Sequence, residues 1–194
     1  VNILSREWWG LFEQDHISSL RKVKLSLDKI EPDMQYDWEY RVSVADNENC
    51  IILFSGLDLT EREINYFTDN HIIRNNEEFT FEFGPYRTFL NAELKTTESI
   101  GEILRKDYSI YLNYQSNKKL TTQELFVFPC YGEQLLISLI WAGDLDNDGK
   151  TDFIIQIPTP PHNELGDSSG LFLSSKADSE ELVKLVAYFI STAC

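Results

Sequence analysis

The sequence predicts a mainly β protein made of antiparallel sheets, sandwich- or meander-like, with one or two short helices. Three observations carry this expectation. Apolar and polar residues alternate at residues 21–27, 36–44 and 78–83, the pattern of strands with one buried face. Most apolar segments are short and separated by turn residues, as antiparallel connections require. Two apolar runs, residues 135–141 and 153–157, read as strands on either side of a strongly acidic loop.

Taken in order, residues 5–12 are aromatic-rich and fit a short helical turn, and residues 21–27 form the first alternating strand. Glu31-Pro32-Asp33 is a turn. The strand over 36–44 places Trp38, Tyr40, Val42 and Val44 on one face, and residues 46–49 turn the chain into a short buried strand over 50–54. This opening stretch is a β-meander in outline. Thr60 and Glu63 have capping-box spacing, which predicts a short helix through Phe67. Residues 69–76 read as loop. Residues 78–83 alternate strictly, turn at Gly84-Pro85 and return over 86–94, a hairpin signal.

Residues 96–106 are the expected internal boundary of a single β-rich unit, with a short helix over 98–104. That boundary would separate an N-terminal β subdomain, 1–95, from a second subdomain, 107–194, that carries the acidic loop. In the second half, strands are expected over 108–114 and 120–128, with turns at 116–118 and 129–133. The prolines from Pro158 to Pro161 cannot continue a ladder and end the strand that follows the loop. Residues 166–170 read as a flexible Gly/Ser loop leading into a strand at 171–173. The run 182–189 fits either period, and a closing strand is the expectation.

Composition narrows the function classes. A chain of 194 residues fits one domain or two small ones. Its net charge of −15 argues against nucleic acid, whose phosphates need clustered Lys and Arg. The same charge argues against an anionic membrane surface. No run of about 18 apolar residues exists, so no transmembrane segment is expected. No basic-then-apolar leader stands at the start of these residues.

The acidic loop is the most informative stretch. Asp144, Asp146, Asp148 and Asp152 fall at loop positions 1, 3, 5 and 9, with Gly149 at position 6. Carboxylates so close repel unless a cation lies between them. Calcium takes six to eight oxygen ligands at roughly 2.3–2.6 Å and tolerates irregular geometry. Gly149 permits the sharp turn, the Lys150 carbonyl fits position 7, and Asp152 closes the site. An EF-hand is excluded. It needs a bidentate Glu at position 12 followed by a helix, whereas Ile155 stands there inside an apolar strand. The alternative to a cage is a solvated acidic turn.

Residues 143–153, Gly-Asp-Leu-Asp-Asn-Asp-Gly-Lys-Thr-Asp-Phe, resemble the calcium loop of FG-GAP (integrin-α-type, VCBS-like) repeats. The resemblance implies Asp144, Asp146, Asp148, the Lys150 carbonyl and Asp152 as ligands of Ca2+. It departs from the family in number: such propellers repeat the loop about once per blade, and one copy stands here. Residues 55–60 are a faint echo without the acids, so a whole propeller is not expected. Residues 170–177 and 182–189 resemble the ending of uncharacterised exported bacterial proteins that carry a single such loop. Over roughly residues 135–194, this implies a calcium-binding, secreted or periplasmic protein with no assigned activity. For an exported chain, Cys50, Cys130 and Cys194 suggest one disulfide and one free thiol, with the pairing open. Each fits equally well as a small buried apolar residue. None has the C-x-x-C spacing of a zinc or redox motif.

Other candidates are weaker. Gly166-Asp167-Ser168-Ser169-Gly170 matches G-x-S-x-G, but a nucleophile elbow needs a preceding strand and a following helix. A protease would also need a histidine and an aspartate in position, and His16, His71 and His162 lie in no supporting motif. Trp8, Trp9, Trp38 and Trp141 offer stacking surface for a sugar. Trp38 and Trp141 have inward phase on expected strands, which leaves Trp8 and Trp9 with the claim to exposure. The expectation is therefore a non-catalytic, exported, calcium-binding β protein whose ion stabilises the loop. The alternatives are a carbohydrate-binding module that uses exposed aromatics, and a hydrolase. A protein or glycan partner stays open.

Overall fold

The computed structural model describes residues 3–14, 17–29, 40–44, 50–67, 71–83, 86–100, 103–116, 119–131, 137–158 and 167–190. A 3-10 turn at Ile3–Ser5 precedes β1 (Trp8–Gln14), β2 (Ile17–Val23), β3 (Leu25–Lys29), β4 (Tyr40–Val44) and β5 (Cys50–Ser55). Then follow β6 (Arg62–Ile64), β7 (Tyr66–Phe67), β8 (His71–Ile73), β9 (Glu78–Phe83), β10 (Tyr86–Ile100), β11 (Ile103–Ser116) and β12 (Lys119–Tyr131). The last are β13 (Ile137–Gly143), β14 (Asp152–Pro158), β15 (Asp167–Leu173) and β16 (Lys184–Ile190). The fold is mainly β and antiparallel, as expected.

The short helices are not found among the described residues. The stretch from Thr60 holds β6, whose Ile64 is buried and whose Glu63 registers against Ser19 of β2. Sheet pairing overrides the local capping signal there. Residues 98–100 and 103–104 are paired strand of the β10–β11 hairpin, with Ser99 opposite Leu104 and Ile100 opposite Ile103. The chain divides into two compact units, Val1–Tyr66 and Phe67–Ala193. The division falls within β7, not at residues 96–106, most of which lie inside that hairpin.

In the first unit the sheet runs β5-β1-β2-β6, and β3 pairs with β4. The aromatic segment expected as a helical turn is mostly strand β1, which buries Trp9, Leu11 and Phe12. Gly10 is required by close approach, since a Cβ there would stand 2.6 Å from the Phe12 ring. The guanidinium of Arg21 lies over that ring at 4.0 Å.

The second unit is a two-sheet sandwich. One sheet runs β12-β11-β10-β9. The other runs β16-β15-β14-β13, and β8 is added on β13, so His71–Ile73 is strand where loop was expected. Leu90, Ala92, Ile110 and Leu112 of the first sheet share a core with Ile137, Leu139, Phe153, Ile155 and Phe172 of the second. Phe81 meets Phe153 edge-on at 5.4 Å between ring centres. Burial of such side chains drives the layers together. The Tyr108 hydroxyl donates to the Ile73 carbonyl at 2.7 Å, which satisfies a polar group inside this core. The expected hairpin of β9 and β10, strands β11 and β12, and the closing strand β16 are all present.

Candidate metal centre

The acidic loop connects β13 to β14, which pair from Ser138–Gln156 to Gly143–Asp152. Both strands are apolar and buried, so the loop springs from a rigid base. A bulge between Leu139 and Trp141 shifts the register just before the loop, and bulges commonly re-aim the residues beyond them. Leu145 is fully buried and pins the loop from within.

Asp144 organises the turn. Its Oδ1 accepts the N–H groups of Asn147 (2.7 Å) and Asp148 (3.1 Å), and its Oδ2 accepts that of Gly149 (3.0 Å). Asn147 and Gly149 have φ of 69° and 82°. These left-handed positions let the chain curl around the carboxylate, and Asn and Gly tolerate them best. Asp148 accepts the Lys150 N–H at 2.9 Å.

Asp152 is the buried member. Its Oδ2 accepts the Leu145 N–H at 2.7 Å, and its Oδ1 accepts the Ser174 N–H at 2.8 Å and the Ser174 hydroxyl at 3.0 Å. Burial pushes its carboxyl up to about 7, and the charge of Asp146 adds to the rise, while the donors from Ser174 and Leu145 oppose it. Asp146 accepts the Ser175 hydroxyl at Oδ2. Its Oδ1 is buried and meets no hydrogen-bond partner among the described residues.

One carboxylate oxygen each from Asp144, Asp146 and Asp152 lies within 4.8 Å of the others. That spacing fits a cation with metal–oxygen distances of roughly 2.3–2.6 Å, since oxygens on opposite sides of it stand about twice that distance apart. A hard, all-oxygen donor set suits Ca2+, and the orphaned oxygen of Asp146 is a lone pair without a donor. The residues therefore fit the ion. Asp148 is not one of that group of three, and both its oxygens lie 2.9 Å from the Ser174 hydroxyl, whose single proton is shared between this carboxylate and that of Asp152. The side chain of Lys150 is exposed, and only its backbone was expected to take part.

Ser174 and Ser175 are the residues the sequence did not single out for the site. They follow β15 and bring the β15–β16 connection onto the loop. Two hydroxyls immediately after the apolar run Leu171-Phe172-Leu173 are the only signal, and polar residues at a strand end are too common to be specific.

Among the described residues the competing sites do not assemble. Residues 167–170, read as a Gly/Ser loop, belong to β15, where Ser168 faces Ile157 and Ile190 in register. Its side chain is buried in a continuing strand, so the strand-to-helix elbow of a nucleophile is absent there. His71 stacks on Phe79 at 4.0 Å and lies 3.4 Å from a Glu77 oxygen. His16 and His162 are outside the described residues. Trp9 and Trp141 are core, and Trp8 is half-buried with its indole N–H on the Ile3 carbonyl at 2.7 Å. The expected exposed pair Trp8–Trp9 is thus corrected, because strand β1 turns Trp9 inward; Trp38 is outside the described residues. Cys50 is a free, half-buried thiol whose pKa burial raises, and the side chains of Cys130 and Cys194 are not described.

No family model, no curated protein and no solved structure matches this chain.

Proposed function

We propose that this protein binds Ca2+ through the Asp144–Asp152 loop, and that the ion is structural, in a non-catalytic β protein of the secreted or periplasmic space. The observation that carries the proposal is the buried, partnerless Oδ1 of Asp146 beside the oxygens of Asp144 and Asp152. Leaving a buried charged oxygen unsatisfied costs several kcal/mol unless a cation or donor meets it. Asp144, Asp146 and Asp152 would hold the ion. Asp148 and the Lys150 carbonyl would complete the set, as the likeness to FG-GAP loops implies. When bound, the ion neutralises the cluster and ties the β13–β14 loop to the β15–β16 connection.

Isothermal titration with CaCl2 tests the binding. One site per chain is expected, and Asp146→Ala should abolish the heat. An unaltered isotherm in that variant would remove the site from this loop. Fractionation of cells expressing the full-length protein tests the location, with recovery from the periplasm or medium expected.

A further inference from the structure

Beside the loop, a groove of about 350 Å³ is lined by Tyr114, Ser116, Lys119, Thr121, Lys150, Glu181 and Leu182. We propose that this groove binds an acidic sugar, its carboxylate held by Lys119 and Lys150. The inference stands apart from the metal reading, because it uses side chains that the ion does not.

Charge makes the first point. Lys22, Lys95 and Lys184 each sit on a carboxylate, at 2.8, 2.8 and 2.6 Å. The ammonium groups of Lys119 and Lys150 have no such partner among the described residues, although the chain carries a net charge of −15. They come from different elements, the first residue of β12 and the end of the metal loop, and both line one groove. Two amines against the one carboxylate of Glu181 leave the lining of this concavity net positive, which favours an anion.

The remaining lining gives the class of anion. Ser116 and Thr121 offer hydroxyls. The Tyr114 hydroxyl donates to the Thr151 carbonyl at 3.3 Å, which anchors its ring at the groove wall. Leu182 adds a half-buried apolar surface for the C–H face of a ring. Glu181 is directed to its own turn, where it accepts the Asp178 N–H at 3.1 Å. Hydroxyl partners, one apolar face and paired amines match a uronate. The volume falls at the small end of ligand pockets, suited to one or two sugar rings.

The wall is preformed. Gln123 of β12 accepts the N–H groups of Leu182 (2.6 Å) and Val183 (3.0 Å) and donates to the Val183 carbonyl at 2.8 Å. Little ordering is then required when a ligand enters.

Amide chemical shifts of the full-length chain, titrated with digalacturonate and separately with its neutral counterpart digalactose, test the inference. The acidic sugar should shift residues 114–121, 150 and 181–182 and saturate. The neutral sugar should bind at least about fivefold more weakly. Lys119→Gln should weaken digalacturonate about fivefold, and Lys119→Arg should restore it. The calcium isotherm of Lys119→Gln should match the wild type, so failure here and failure of the metal reading are distinguishable. Equal binding of both sugars, unchanged affinity in Lys119→Gln, or saturation of the same amides by inorganic phosphate at equal concentration would each overturn the proposal.

Discussion

Ser174 donates twice to one oxygen of Asp152, through its backbone N–H at 2.8 Å and its hydroxyl at 3.0 Å. The same hydroxyl reaches both oxygens of Asp148. A residue beyond the end of β15 thereby closes the loop between β13 and β14, so two connections of one sheet are joined through a single side chain. Removing that hydroxyl leaves the buried Asp152 oxygen with one donor fewer. Ser174→Ala should destabilise the protein by about 1–3 kcal/mol, measured by denaturant unfolding. Ser175→Ala, at an exposed position, should cost less. Equal effects would mean that burial of the Asp152–Ser174 pair does not matter.

Gly149 tests the backbone of the loop separately from its charges. Its φ is 82°, and a Cβ there would meet nothing within 4 Å. The cost of Gly149→Ala is therefore conformational only, about 1–2 kcal/mol. Thermal unfolding measures it, and a neutral substitution would show that the left-handed turn is not required.

The acid at the bottom of the site gives a pH dependence. Burial raises the Asp152 carboxyl from its ordinary 3.8 to about 7 in the folded chain. Between these values the folded state holds a proton that the unfolded state has released. The contribution of this group is thus most favourable below about pH 4 and is lost as pH rises through about 7. In chelator, the wild type should lose more stability between pH 5 and pH 7.5 than Asp152→Asn does. Calcium needs the carboxylate, so its binding should strengthen over the same interval. An identical pH slope in wild type and variant would show that Asp152 is ionised throughout.

Much of the sheet architecture was legible because it rests on local signals. The alternation of residues 78–83 is the pattern of β9, and the apolar runs flanking the loop became β13 and β14. The turn glycine also behaved as its position required, with Gly149 at positive φ. What failed were local signals overruled by partners distant in sequence. The Thr60–Glu63 spacing mimics a helix start, yet Glu63 lies opposite Ser19 in the sheet. The Gly/Ser stretch at 167–170 reads as loop until β14 and β16 pair on both sides of it. Within the site, the acid ladder pointed to the loop but not to Ser174 and Ser175, because contacts across 22 to 29 residues leave no mark on spacing.

Thermal unfolding with and without calcium is the most direct test of the central claim. A ligand bound only to the folded state stabilises it by about 2.7 kcal/mol at a hundredfold excess over Kd. For a chain of this size that corresponds to a Tm about 5–10 °C higher in CaCl2 at a hundredfold excess over Kd than in excess chelator. The account predicts this rise for the wild type and its loss in Asp146→Ala. The same Tm in calcium and in chelator would contradict it.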